Sequence, residues 1–117
     1  MIDSFKNAFR GLFLLIKTER NFQIHLIALA LVSVLGLYFN ISRGEWAIVL
    51  IMSAIVLSLE GLNSAIEKIC DEVTLERKES IRNIKDIAAG AVLISALIAI
   101  LIGLLIFFPY FREMLSK

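Results

Sequence analysis

Apolar and polar positions follow two rhythms along the chain. In residues 3–18, Phe5, Ala8, Phe9, Leu12, Phe13 and Ile16 recur at helical spacing, and Lys6, Asn7, Arg10 and Lys17 fill the rest of the wheel. This pattern predicts an amphipathic helix. Basic residues opposite Phe and Leu suit a helix lying in a membrane interface. A soluble amphipathic helix on a core would share the pattern, but the segment that follows is membrane-like. Residues 22–39 are eighteen positions without a formal charge, with Gln23 and His25 near the start. A bilayer core needs about 20 residues of helix, so this run is near the short limit. Asn40, Ser42 and Gly44 break the pattern.

The second span is expected over 46–67. Trp46 opens it at a position suited to an interfacial aromatic, and fourteen uncharged residues run from Trp46 to Leu59. Residues 68–86 are densely charged. The third span, 87–108, has twenty-two uncharged residues, and Pro109 is expected to end it. The predicted fold class is therefore an all-α membrane protein: three transmembrane helices preceded by an N-terminal amphipathic interfacial helix. The whole chain, 1–117, reads as a single domain.

One stretch departs from the apolar pattern of its helix. In Glu60-Gly-Leu-Asn-Ser-Ala-Ile-Glu67-Lys-Ile-Cys-Asp71, the residues Asn63, Ser64, Glu67 and Asp71 all lie within roughly 60° of Glu60 on the wheel at ~100° per residue. They make a narrow polar stripe. Glu60 precedes the first lysine, Lys68, by eight residues, about 12 Å at helical rise. It is therefore expected inside the apolar layer.

Composition agrees with a membrane setting: 59% of residues are hydrophobic and mean hydropathy is +0.85, well above a soluble domain. The net charge of +1 gives no nucleic-acid footprint. A single cysteine, Cys70, excludes an internal disulfide and fits a reducing compartment. No secretory signal peptide is expected from the N-terminal pattern. Nine of the twelve Lys and Arg precede the first span or lie between the second and third. By the positive-inside bias, the N-terminus and the 68–86 segment are expected on the cytoplasmic side of a multi-pass protein of the inner (cytoplasmic) membrane.

That topology gathers Glu19 at the foot of the first span, the lower stripe of the second, and Lys85-Asp86 at the foot of the third. Ionisable residues at membrane depth are by default functional candidates. Carboxylates from different helices suit a hard cation such as Mg²⁺. No Cys/His pattern for zinc is present: His25 is the only histidine, and it reads as a packing or interfacial residue. A carboxylate in a low-dielectric site is a better proton acceptor, and Glu60 is the deepest. A metal, a lysine and a base are what phosphoryl transfer needs. On residue chemistry alone, three classes stay open: an enzyme, a small transporter lining its path with carboxylates, or a structural subunit using the stripe for helix packing. The chain has neither a G-x-x-x-x-G-K-[ST] nor a G-x-G-x-x-G loop, so any ATP would need an unusual site.

The segment Glu60-Gly-Leu-Asn-Ser-Ala-Ile-Glu67, then Asp71, then Lys85-Asp86-Ile-Ala-Ala-Gly-Ala-Val-Leu-Ile94 resembles the small prokaryotic diacylglycerol kinases, integral membrane lipid kinases. It matches their E-x-x-N-[ST]-A-I-E signature at every position. Glu19-Arg-Asn-Phe-Gln-Ile-His25 is similar to the family's acidic block, in the form of its undecaprenol kinase branch. The likeness extends from about Ser4 to Phe108.

The resemblance implies an ATP-dependent kinase with Mg²⁺ that phosphorylates a lipid alcohol at the cytoplasmic leaflet, assembled as a homotrimer. Undecaprenol is the first expected substrate and diacylglycerol the alternative. Carried over by residue, Glu60 would be the general base at the lipid hydroxyl, and Glu19 and Glu67 would hold the metal and so the nucleotide. Lys85 and Asp86 would serve the nucleotide phosphates, Glu76, Arg77 and Lys78 a loop touching nucleotide, and Asn63 and Asp71 would be polar groups of the active site. Asn7 stands where the family can place an aromatic near the nucleotide. Independently, three helices leave little room to shield five polar groups, which favours an oligomer.

Overall fold

The computed structural model describes residues 1–73 and 78–117, in which four helices follow one another: α1 (Ile2–Thr18), α2 (Arg20–Phe39), α3 (Arg43–Val73) and α4 (Glu79–Leu115). Helices α2, α3 and α4 are each long and apolar enough to cross a membrane. Their outward residues, among them Ile27, Leu31, Leu97, Ile100, Leu104 and Leu105, are exposed. A helix apolar all round is the form that lipid requires, because its backbone hydrogen bonds close internally. The described residues thus form an all-α membrane protein.

Glu19 alone separates α1 from α2. Its extended backbone (φ −100°, ψ 108°) interrupts the helix. The corner is held on both sides: Glu19 N–H donates to Leu15 O (3.0 Å), and Gln23 Nε2 reaches back to Ile16 O (2.8 Å). Those carbonyls belong to the last turn of α1, which would otherwise be unsatisfied. The sequence thus places a carboxylate at a fixed bend.

Between α2 and α3, Asn40 takes the left-handed conformation (φ 52°, ψ 54°), which Asn tolerates better than most residues. Ile41 N–H donates to Gly36 O (3.1 Å) and closes α2. Ser42 and Glu45 then bond reciprocally: Glu45 N–H to Ser42 Oγ at 3.1 Å and Ser42 N–H to Glu45 Oε1 at 2.9 Å. This S-x-x-E capping box starts α3. Tyr110 O–H donates to the same Glu45 carboxylate and ties α4 to the turn.

Pro109 does not end the helix. Helix α4 runs through it to Leu115. Proline removes one backbone N–H and crowds the preceding turn. Here the turns around it are anchored from outside: Phe39 stacks on Phe107, Tyr110 and Phe111. Aromatic packing and the Tyr110–Glu45 bond offset the lost hydrogen bond.

The core of this end comprises Ile41, Val49, Ile106 and Phe107, with Trp46 packed against them. A Cβ on Gly36 would sit 2.7 Å from the Trp46 ring. Gly36→Ala should therefore force the indole out of a packed cluster and cost about 1–3 kcal/mol. A lower unfolding midpoint in detergent is the expected result; an unchanged midpoint would show that the ring moves freely. At the other end, Gly61 lets Leu15 of α1 come within 3.2 Å of where its Cβ would be. That contact brings α1 against α3 one residue after Glu60.

Candidate active site

The polar stripe of α3 divides by depth. Glu60, Asn63 and Ser64 are buried, with Glu60 only 3% exposed, whereas Glu67 and Asp71 are exposed. The inner part of the stripe, at Glu60, faces α2, and the outer part lies toward the charged end of α3, which runs to Val73. Cys70, off the stripe, is also buried.

The candidate residues meet mostly as pairs across helices. Glu60 Oε2 of α3 lies 3.8 Å from His25 Nε2 of α2. Lys68 Nζ of α3 bonds Glu19 Oε1 at the corner, at 2.5 Å, and is also within Coulombic reach of Glu67 and Asp71. Lys85 Nζ of α4 bonds Asp71 Oδ1 of α3 at 2.7 Å. Asp86 is only loosely associated with Arg82, at 3.9 Å on the exposed face of α4, a pair of little energetic weight. Glu19, Glu67, Asp71, Lys68 and Lys85 thus share one end of the molecule, and Glu60 sits about 10 Å along α3 from Glu67 at helical rise. Lys78 is the residue that precedes α4. Glu76 and Arg77 lie outside the described residues.

Asn63 links the two levels. Its Nδ2 donates to Glu67 Oε1 (3.3 Å), while its Oδ1 is buried without a hydrogen-bond partner among the described residues. A buried amide oxygen left unpaired costs roughly 1–3 kcal/mol, so such atoms call for an explanation.

A groove of about 560 Å³ runs between α1 and α3. Ala8, Leu12, Leu14, Leu15 and Ala65 make its walls apolar, and Thr18, Glu19, Ser64 and Lys68 give it a polar end. Glu60 does not line this groove; its neighbours Gly61 and Ser64 do. A molecule with a long apolar body and one polar head matches that distribution.

The donors at this end suit a divalent cation in kind. Glu19, Glu67 and the free Oδ1 of Asn63 are all oxygen ligands of the kind a hard cation takes. Among the described residues, no three His, Cys, Asp or Glu converge on one metal position. Mg²⁺ characteristically uses one or two carboxylates and completes its shell with water and phosphate oxygens, so the set fits Mg²⁺ carried with a nucleotide. Lys68 holds Glu19 in the present arrangement.

Two of these contacts were not legible as site features. Lys68 falls off the polar stripe and reads only as the edge of the apolar layer. His25 reads as a packing residue. The approach of His25 to Glu60 depends on the crossing of α2 and α3, which one-dimensional spacing does not carry. The signal available was that the sole histidine lies six residues after Glu19.

Comparison with known proteins supplies the family. The model of the prokaryotic diacylglycerol kinase family matches residues 6–107. The chain is 42% identical over 106 residues to the undecaprenol kinase of Bacillus subtilis, covering 91% of this chain and 86% of that protein. It is 32% identical over 104 residues to the diacylglycerol kinase of Synechocystis sp., covering 88% of this chain and 59% of that protein. It is 39% identical over 69 residues to the diacylglycerol kinase of Pseudomonas aeruginosa, covering 59% of this chain and 55% of that protein. The match spans all three polar blocks, from the acidic corner to the foot of α4, and on that ground the chain belongs to the prokaryotic diacylglycerol kinase family, whose named members are lipid kinases.

Proposed function

We propose that this protein transfers the γ-phosphate of ATP, with Mg²⁺, to the hydroxyl of a membrane lipid alcohol at the cytoplasmic leaflet, and that the alcohol is undecaprenol. The observation that carries the chemistry is Glu60: a carboxylate kept almost wholly from solvent on a helix that ends in oxygen donors and Lys68. A structural stripe would gain nothing from burying a charge. The preference for undecaprenol rests on the 42% identity over 91% of the chain to a kinase of that name, above the 32% over 88% and the 39% over 59% to two diacylglycerol kinases.

The lipid lies with its chain in the apolar groove between α1 and α3, and its hydroxyl passes the Gly61–Ser64 edge of that groove to reach Glu60, which stands outside the lining. Glu60 accepts the hydroxyl proton as the oxygen attacks the γ-phosphorus, and ADP leaves. Mg²⁺, when bound, neutralises charge on the phosphate oxygens. Glu19 and Glu67 would hold that ion and, through it, the nucleotide, with Asn63 bonded to Glu67 through Nδ2. Lys85, with Asp86, serves the phosphates, and Asp71 holds Lys85 in place until they arrive. Glu76, Arg77 and Lys78 would contact the nucleotide from the segment between α3 and α4. The positive residues at this end support a cytoplasmic orientation in the inner membrane. The exposed apolar faces of α2 and α4, with the family resemblance, support a homotrimer of single-domain chains.

Purified protein in lipid, given Mg²⁺ and radiolabelled ATP, is expected to label undecaprenol faster than diacylglycerol. Faster labelling of diacylglycerol would select that alternative substrate. Transfer to neither lipid would overturn the kinase reading and return the stripe to ion passage or helix packing.

A further inference from the structure

We propose that His25 is a positioning residue for the Glu60 carboxylate, an inference that rests on Glu60 being the base. Among the described residues, His25 is the one cationic or imidazole group within 4.0 Å of Glu60. Asn63, one turn along α3, spends its amide on Glu67 instead. A buried carboxylate needs a donor to offset its lost hydration. It also needs its torsions fixed if one oxygen is to meet a substrate hydroxyl, because a misplacement of about 1 Å can cost roughly 100-fold in rate.

The geometry places one group within reach of both tasks. Nε2 faces Oε2 across the α2–α3 crossing at 3.8 Å. That is longer than a hydrogen bond, which requires about 3 Å. Catalytic bonds of this kind are often long without substrate and tighten when the site fills. Once that contact closes, the ring N–H holds Oε2 and Oε1 remains to accept the substrate proton. Helix α2 is itself secured close by, where Gln23 bonds Ile16 O at the corner. The imidazole is 25% exposed, the carboxylate 5%, so the ring closes the site on the α2 side.

His25 is the chain's only histidine, so its ring gives a single pair of ¹⁵N imidazole signals. In detergent or nanodiscs these signals are expected to move in Glu60→Gln and to stay in place in Glu113→Gln, a carboxylate near the far end of α4. In turnover, His25→Leu should lower kcat about tenfold or more while KM for lipid and ATP changes by less than about twofold. His25→Gln, which keeps an N–H donor in similar reach, should recover to within about threefold of wild type.

Ring signals unmoved by Glu60→Gln would overturn the proposal, as would His25→Gln as slow as His25→Leu or His25→Leu at wild-type kcat. The two ideas separate cleanly. An inactive Glu60→Gln with unmoved ring signals leaves Glu60 as base and removes His25. A fully active Glu60→Gln removes the base, and with it any catalytic meaning of the contact, even where the ring signals move.

Discussion

Glu60→Gln is expected to lower kcat by roughly 10²- to 10⁴-fold, the range a positioned general base contributes. Glutamine keeps the shape of the side chain and removes the proton acceptor. KM for lipid and ATP should change little, since the apolar groove and the phosphate-side lysines are untouched. Stability provides the internal control. Glu60 is 3% exposed, and replacing a buried charge by a neutral isostere removes a desolvation cost. The variant's unfolding midpoint should therefore equal or exceed that of the wild type. A slow, stable enzyme is the signature of a base. A variant with wild-type turnover removes Glu60 from the chemistry, and an inactive variant with a lower midpoint would point to structural damage.

Glu67→Gln is expected to raise the Mg²⁺ concentration for half-maximal activity tenfold or more. Two unit charges about 4 Å apart interact by roughly 4 kcal/mol at an effective dielectric near 20, and a divalent ion feels twice that. Glu67 is exposed, so screening reduces the effect well below this limit. Asn63 Nδ2 can still donate to the glutamine carbonyl, so the buried amide keeps its bond. Activity should recover in part at high Mg²⁺, as expected for lost ion binding. An unchanged Mg²⁺ titration would reject Glu67 as a ligand.

The helices were legible because lipid imposes long uncharged runs, and charges mark their ends. The stripe on α3 was legible because five polar residues keep helical phase through an apolar helix. The signature from Glu60 to Glu67 carried the family, and the comparisons agree with it. The course of α4 past Pro109 was not legible, since it depends on Phe39 reaching across from α2. Nor were the pairs Lys68–Glu19 and His25–Glu60. Each joins residues from different helices, and their meeting is decided by crossing geometry and side-chain reach. Periodicity reports the face a residue occupies; it does not report what stands opposite.

The one-residue corner at Glu19 makes α1 a lever. The helix is 17 residues long, about 25 Å at helical rise. A turn of about 10° at its fulcrum would carry the far tip by ~4 Å, through the wall of the α1–α3 groove. Lys68 is the latch on that fulcrum. Whatever draws the Glu19 carboxylate away from Lys68 removes one tie on the arm and leaves the Gln23–Ile16 bond at the corner. In the proposed function, a nucleotide-bound cation drawing on Glu19 would therefore pull on the same residue that sets the direction of the groove wall.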